Sequence, residues 1–146
     1  MIGPPAVLGA LCVGAGLVAH ALVPLPLLPG RSGLIAGIVL MLAAVALALA
    51  AISQFAAHHE HPDPYKPTHR LIAKGIYNRT RNPIYVALLL AVLATAGLVN
   101  SVWILGSLML FFLLLQYGVV QREEQYLSAK FGAEYDEYRR RVRRWI

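Results

Sequence analysis

Four long uncharged stretches constrain this chain more than any other feature of its sequence. They cover residues 6–28, 34–55, 84–99 and 102–120, and none contains Asp, Glu, Lys or Arg. A bilayer core about 30 Å thick is crossed by about 20 mostly apolar residues of helix. Across the 146 residues, 58% are hydrophobic and 14% charged, a balance untypical of soluble globular domains. We therefore predict an integral membrane protein with four transmembrane helices.

The pattern favours a single all-α domain over residues 1–146. It shows no strand-like alternation of the kind that a membrane barrel requires, and helices satisfy their own backbone hydrogen bonds in lipid. Residues 1–56 are expected to form two scaffold helices, and residues 57–146 the part that carries chemistry. Cys12 is expected to be a small apolar packing residue. Small residues that allow close helix packing are Gly14, Gly16, Gly33 and Gly37.

The placement of positive charge predicts the topology. Basic residues are concentrated in the loop at 56–82 and in the tail after residue 120, whereas Arg31 is the only charge between the first two stretches. The positive-inside rule then puts the loop, the tail and both termini on the cytoplasmic side of the cell membrane. The formal charge of +6 is explained by topology and by attraction to membrane lipids, and no nucleic-acid-binding module is recognisable.

The third and fourth stretches are expected to form a tight antiparallel hairpin through Asn100 and Ser101. Asn82 suits the N-cap of the third helix, and Pro83 suits its first position, where no backbone N–H is needed. In such a hairpin the start of the third helix lies beside the end of the fourth. We therefore predict that Arg81 and Glu123 are neighbours.

The C-terminal segment has an amphipathic pattern. Its apolar residues recur at spacings of three or four, which is typical of one face of a helix lying at a membrane surface. Gly132 is expected to divide this segment, so that the fourth helix projects to about Lys130 and another helix folds back from about Ala133. The apolar stripe comprises Leu127, Phe131, Tyr135, Tyr138, Val142 and Trp145.

Polar residues gathered on the cytoplasmic side suit a zwitterionic cofactor. Arginine binds a carboxylate with two hydrogen bonds, glutamate accepts from ribose hydroxyls or an ammonium, and tyrosine packs against adenine. A second interpretation is that Arg79 and Arg81 only anchor the topology, and that Glu123 and Glu124 only neutralise nearby arginines.

Two other candidate sites are weaker. His58, His59, His61 and Asp63 match no standard zinc spacing, so no metal is expected. His20, within the first stretch, is either an intramembrane ligand or a neutral histidine with an internal partner.

Two ordered motifs resemble a known superfamily. The run "KPTHRLIAKGIYNRTRNPIYVALLL", followed after a hairpin by "VVQREEQYLSAKFGAEYDEYRRRVRRW", is similar to the isoprenylcysteine carboxyl methyltransferases and phospholipid methyltransferases. The resemblance covers residues 62–146 and implies a membrane methyltransferase that uses S-adenosylmethionine. By resemblance, the cofactor-binding residues are Thr68, His69, Leu71, Gly75, Tyr77, Arg81, Asn82, Pro83, Tyr85, Glu123 and Glu124. The chain departs from the family pattern at Ile76, in place of proline, and at Asn82, in place of the histidine of the eukaryotic prenylcysteine enzymes.

The resemblance implies a lipophilic acceptor that reaches the site from the membrane. An isoprenylcysteine-like carboxylate is the first expectation, and a phospholipid amine is the alternative. A carboxylate needs no base, whereas a protonated amine does. We expect catalytic roles for Arg122 or Arg139 on an acidic head and for Tyr138, with His69 or a glutamate as other bases. A homodimer that completes the acceptor site, and a non-enzymatic accessory protein on the same scaffold, are further alternatives.

Overall fold

A computed structural model describes residues 3–57 and 71–146 of the chain. The described residues are helical and contain no β-strand, as the sequence predicts. The elements are α1 (Pro5–Leu22), α2 (Ser32–Ala57), a short 3₁₀ helix (Gly75–Asn78), α3 (Pro83–Val99), α4 (Val102–Leu115), a π-helical turn (Gln116–Val120), α5 (Gln121–Phe131) and α6 (Ala133–Arg141). The histidines at 58, 59 and 61, which are not expected to bind a metal, lie outside the described residues. So do Asp63, Thr68 and His69.

Among the described helices, three are long and apolar enough to cross a membrane. These are α1, α2 and the continuous helix Val102–Phe131, which comprises α4, the π-helical turn and α5. The fourth predicted span, α3, has 17 residues and is a shorter apolar helix. Three of the predicted spans thus have the required length, and a full fourth span stays a prediction.

The first helix is shorter than its apolar stretch. It ends at Leu22, and residues 23–28 continue as a non-helical apolar segment. Pro24 and Pro26 explain the early end, because a proline removes a backbone donor and clashes with the preceding helical turn. The prolines between Val23 and Gly33 thus break the first helix, as the sequence predicts.

Close contact between α2 and α3 depends on glycine. A Cβ atom at Gly37 would lie 2.6 Å from the backbone nitrogen of Leu98, and one at Gly33 would lie 3.0 Å from the carbonyl oxygen of Gly97. Gly16 similarly faces the backbone of Ile104, with a built Cβ at 3.0 Å from its Cα, whereas Gly14 faces open space. Three of the four predicted glycines thus lie at helix contacts.

The core of the bundle lies between α1, α3 and α4. Its largest fully buried side chains include Phe111, Ile104 and Leu115, and Cys12 is buried among them as an apolar packing residue. The buried core continues from α4 through Val119 and Val120 of the π-helical turn. The same packed surface therefore fixes the end of the bundle where the polar residues gather.

The opposite end of the bundle is closed by Asn100. This residue follows α3 in the left-handed conformation, with a φ of 56°. Its Oδ1 accepts hydrogen bonds from the backbone nitrogens of Leu27 (3.0 Å) and Leu28 (2.8 Å), and its Nδ2 donates to the Leu28 carbonyl at 2.9 Å. One side chain thus joins the loop after α1 to the turn between α3 and α4.

The C-terminal segment folds back as predicted but packs on the protein. Gly132 separates α5 from α6 with a φ of 52°. Tyr135, Tyr138 and Val142 are buried and pack against Leu71 and its neighbours. The helix ends at Arg141, so the predicted continuation of the helical stripe to Val142 and Trp145 was wrong.

Candidate functional site

A buried ion-pair cluster lies where α3 begins and α5 leaves the apolar region. Arg81 Nη1 lies 2.9 Å from Glu124 Oε1, and both side chains are nearly inaccessible to solvent. Arg144 donates from Nε to Glu124 Oε1 at 2.9 Å and from Nη2 to Oε2 at 2.8 Å. This two-bond fork is the strong geometry for an arginine and a carboxylate, and it raises the pKa of Arg144. Glu124 is therefore held between two cations.

The second carboxylate of the pair has a different partner. Glu123 Oε2 accepts a hydrogen bond of 2.7 Å from the Tyr85 hydroxyl. Neighbouring residues on a helix point about 100° apart, so the two glutamates face different sides of the site. The predicted hairpin juxtaposition is present, but Arg81 pairs with Glu124 rather than with Glu123.

The π-helical turn sets the direction of these carboxylates. In this turn the Gln121 N–H bonds to the Gln116 carbonyl, five residues earlier, instead of four. Such a turn inserts one residue into an α-helix and rotates everything after it, and π-bulges are frequent at functional sites. Glu124 is thereby buried at 9% exposure, whereas Arg122 remains exposed.

The tail after α6 is bonded to the start of α3. The Arg81 N–H donates to the Arg143 carbonyl at 2.9 Å, and Asn82 Nδ2 donates to the Arg144 carbonyl at 2.8 Å. The Asn82 side chain therefore binds the tail and makes no N-cap hydrogen bond, which corrects the predicted capping role. Pro83 occupies the first turn of α3 as predicted.

Three tyrosines are buried near the ion-pair cluster, and one of them, Tyr135, contacts the guanidinium of Arg81. The Tyr135 hydroxyl accepts from Arg81 Nη1 at 3.4 Å, and the Tyr138 hydroxyl donates to the Tyr77 carbonyl at 2.7 Å. Burial raises the pKa of Tyr77, Tyr135 and Tyr138 above the usual value. These hydroxyls therefore stay protonated near neutral pH, which favours hydrogen bonding over proton abstraction by Tyr138.

An open polar cleft adjoins Glu124 on the solvent side. It encloses about 540 Å³. It brings Arg139 of α6 and Arg144 of the tail to face α5, while Arg122 does not line it. The residues lining the cleft are Gln121, Glu124, Gln125, Ser128, Ala129, Arg139 and Arg144.

Comparison with known proteins identifies the family of this chain. A profile described as phospholipid methyltransferase matches residues 32–134, more than half of the chain. The chain belongs to the phospholipid methyltransferase family. The matched segment includes α2, α3, α4 and α5, and the tail that carries Arg144 lies beyond it.

Two curated proteins are similar to parts of this family member. A protein of Haemophilus influenzae described as uncharacterized is 45% identical over 64 residues, which are 43% of this chain and all of that protein. The cobalt-zinc-cadmium resistance protein CzcN of Cupriavidus metallidurans is 33% identical over 72 residues, 49% of this chain. The match spans 33% of CzcN. No solved structure matches.

The other predicted cofactor residues have mainly internal positions in this methyltransferase fold. Gly75 begins the 3₁₀ helix with a φ of 59°, a conformation that favours glycine. Leu71 packs against the cluster of Tyr135, Tyr138 and Val142. Tyr85 and Asn82 are buried and bonded within the chain. Their contact with a cofactor stays a prediction.

Sequence reasoning missed Arg144 and the polar face of α5. Gln121, Gln125 and Ser128 are spaced by four and three residues, so they share one helical face with Glu124. That spacing was visible in the sequence, but the place of Arg144 depends on the tail returning to Thr80 and Arg81, which no periodicity reveals. His20 is partly buried, and its Nδ1 has no hydrogen-bond partner among the described residues. Within residues 3–57 and 71–146 no group of side chains is arranged to hold a metal ion.

Proposed function

We propose that this protein transfers a methyl group from S-adenosylmethionine to a lipophilic acceptor at the cytoplasmic surface of the cell membrane. Membership of the phospholipid methyltransferase family supports a methyltransferase in general. The observation that carries the finer proposal is the buried cluster of Arg81, Glu124 and Arg144 at the edge of a polar cleft. The cluster lies at the end of an apolar bundle, where a soluble cofactor and a lipid can meet.

The cleft fits the cofactor in size and in chemistry. Its volume of about 540 Å³ lies within the usual range for small-molecule sites. Arg139 and Arg144 suit the methionine carboxylate, and Gln121, Gln125 and Ser128 suit ribose hydroxyls. In addition, Arg81 Nε is buried without a hydrogen-bond partner among the described residues, so the cluster retains one donor.

The residues of the chain contribute mainly by binding and orientation. S-adenosylmethionine supplies an activated methyl group on a positively charged sulfur. Glu124 lines the cleft, and the two arginines bonded to it keep that carboxylate in one orientation. A fixed site of this kind accelerates transfer by holding two reactants close together.

An acidic acceptor, such as an isoprenylcysteine-like carboxylate, is the first choice of substrate. The arginines at the cleft attract such a head, and a carboxylate accepts a methyl group without a base. The buried tyrosines keep their protons, so they favour an acceptor that requires no proton removal. A phospholipid amine is the second candidate. For that acceptor, Glu123 is the described carboxylate that would serve as the base.

Calorimetry with detergent-purified protein tests the cofactor. Arg144→Ala and Glu124→Ala are expected to weaken binding of S-adenosylmethionine and S-adenosylhomocysteine more than tenfold, because each removes charge-assisted hydrogen bonds worth about 1.5–3 kcal/mol. Gln125→Ala, on the exposed wall of the same cleft, should weaken binding with unchanged thermal stability. Arg140→Ala, an exposed arginine of α6 outside the cleft, is the matched control and should bind normally. Normal binding by all three cleft variants would refute the proposed cofactor site.

A transfer assay identifies the acceptor class. Protein is incubated with S-adenosylmethionine carrying a labelled methyl group and either total lipid extract or small prenylated thiols. A carboxyl methyl ester releases labelled methanol in base, whereas a methylated amine does not. Base-stable label alone would favour the phospholipid amine. Absence of both cofactor binding and transfer would favour the non-enzymatic accessory protein.

A further inference from the structure

An apolar groove runs along the outside of the α3–α4 hairpin. Two connected cavities, about 230 Å³ and 470 Å³, share Leu89, Leu108 and Phe112 as lining residues. Because α3 starts and α4 ends at the polar side, Val86 marks the polar end of the groove and Leu105 the deeper end. The groove is therefore oriented along the bundle axis from the polar site towards the bilayer interior.

Trp145 closes the polar end of this groove. Its ring lies 5.3 Å from that of Phe112, centroid to centroid, and it lines the smaller cavity. Its Nε1 donates to Gln116 Oε1 at 2.9 Å, which fixes the indole against the first residue of the π-helical turn. The indole is thus a positioned wall and not a loose surface side chain.

Two consecutive residues of the tail line the polar cleft and the apolar groove. Arg144 binds Glu124 and lines the polar cleft, whereas Trp145, the next residue, lines the apolar groove. A molecule with a polar head at the cleft and a hydrocarbon chain in the groove would therefore pass the tail at this pair. Because adjacent tail residues line the polar cleft and the apolar groove, the occupant that suits both is an amphipathic chain whose head points to the polar end.

Building on the proposed function, we propose that the α3–α4 groove binds the hydrocarbon chain of the methyl acceptor and that Trp145 sets the position of the chain relative to the polar site. In the bilayer, van der Waals packing against the fixed walls of the groove favours the bound chain, and the indole limits how far the head can move away from the cleft.

Fluorescence quenching tests this binding without any methyl donor. In the Trp103→Phe variant, Trp145 is the remaining tryptophan, since the sequence has two. The protein is placed at one copy per phosphatidylcholine nanodisc and titrated with 2-bromohexadecanoic acid or 16-bromohexadecanoic acid. We expect saturable loss of Trp145 emission, stronger with the bromine next to the head, and reversal by unlabelled hexadecanoic acid.

Two matched variants decide the outcome. Leu89→Phe narrows the groove where both cavities meet and should raise the half-saturating concentration about tenfold. Leu110→Phe adds the same ring at an exposed position of α4 that does not line the groove, and should leave it unchanged. Quenching that rises linearly with the acid, or that ignores Leu89→Phe, would indicate bulk lipid and overturn the proposal. A signal that requires two copies per disc would indicate a second copy on the groove and would overturn it as well. Saturable quenching in a protein that fails to bind S-adenosylmethionine would retain the groove and reject the proposed function.

Discussion

At the scale of single residues, the polar contacts of this methyltransferase carry more structural weight than their small number suggests. Glu124 accepts from two arginines, and Asn100 joins two loops at the other end of the bundle. The Arg81–Glu124 contact is nearly inaccessible to solvent, so removing one partner leaves the other buried without a hydrogen bond, which costs more than the bond itself contributes. The hydrogen bonds of Asn100 are partly exposed, so removing them costs about their own net contribution.

Replacing Asn100 should therefore destabilise the bundle. Asn100→Ala removes the side-chain acceptor for the Leu27 and Leu28 nitrogens and leaves an alanine in the left-handed conformation. We expect a loss of about 1–3 kcal/mol in the free energy of unfolding, measured by thermal unfolding in detergent.

Asn100→Gly and Asn78→Ala are the controls for this prediction. Glycine adopts the left-handed conformation freely, so Asn100→Gly should lose less stability than Asn100→Ala. Asn78 is exposed, and its change to Ala should have little effect. Equal stability of Asn100→Ala and the unmodified chain would show that the loops are held together by other contacts.

The buried tyrosines predict an alkaline limit to stability. Their pKa is raised by burial in the folded chain, whereas it is about 10 in the unfolded chain. The unfolded state therefore releases these protons first, so the stabilising contribution is complete below about pH 10 and declines as the pH rises above it. Thermal unfolding measured from pH 8 to pH 11 should show this decline. Tyr77→Phe should make it shallower, and an unchanged slope would contradict the prediction.

At the scale of elements, helix contacts are set by small residues whose neighbours the sequence does not show. Gly37 and Gly14 look alike in sequence, yet one faces the backbone of α3 and the other faces open space. The C-terminal stripe has regular helical spacing up to Trp145, yet the helix stops at Arg141. It stops because the tail gains backbone bonds to Arg81, and this tertiary gain outweighs local periodicity.

Gly37→Ala and Gly14→Ala form a matched pair that tests the packing of α2 on α3. A methyl group at Gly37 would lie 2.6 Å from the Leu98 nitrogen, so the helices must separate, at a cost of about 1–3 kcal/mol. Gly14→Ala meets nothing within 4 Å and should be neutral or stabilising, because alanine favours helix. Thermal unfolding of the two variants checks this. Equal stabilities would contradict the assigned helix contact.

At the scale of the whole molecule, the sequence predicts the helical architecture better than it predicts the site. Uncharged stretches reveal where helices lie, since burial in lipid is a property of each segment alone. The pairing of Arg81 with Glu124 instead of Glu123 depends on one inserted residue in the π-helical turn, and the contribution of Arg144 depends on a contact across the chain. Both are tertiary effects, and hydrophobic periodicity predicts neither of them.

The predicted orientation in the membrane can be tested by labelling. In a Cys12→Ala background, Arg140→Cys places a thiol on α6 and Arg31→Cys places one in the loop at the opposite end, and both positions are exposed. A membrane-impermeant maleimide should label Arg31→Cys in intact cells and Arg140→Cys only after the membrane is permeabilised, as the positive-inside rule requires. The reverse pattern would place the cleft outside the cell.

The bonds between Asn82 and the tail also dictate when the site forms during synthesis. Asn82 bonds to the Arg144 carbonyl, 62 residues further along the chain, and Arg81 bonds to the Arg143 carbonyl. Neither bond can form until the tail has been synthesised. By then α3, α4 and α5 have all left the ribosome, so membrane insertion precedes assembly of the ion-pair cluster. A nascent chain therefore completes helices α3 to α5 before the ion-pair cluster can form, so any function that requires this cluster begins only after those helices have been inserted.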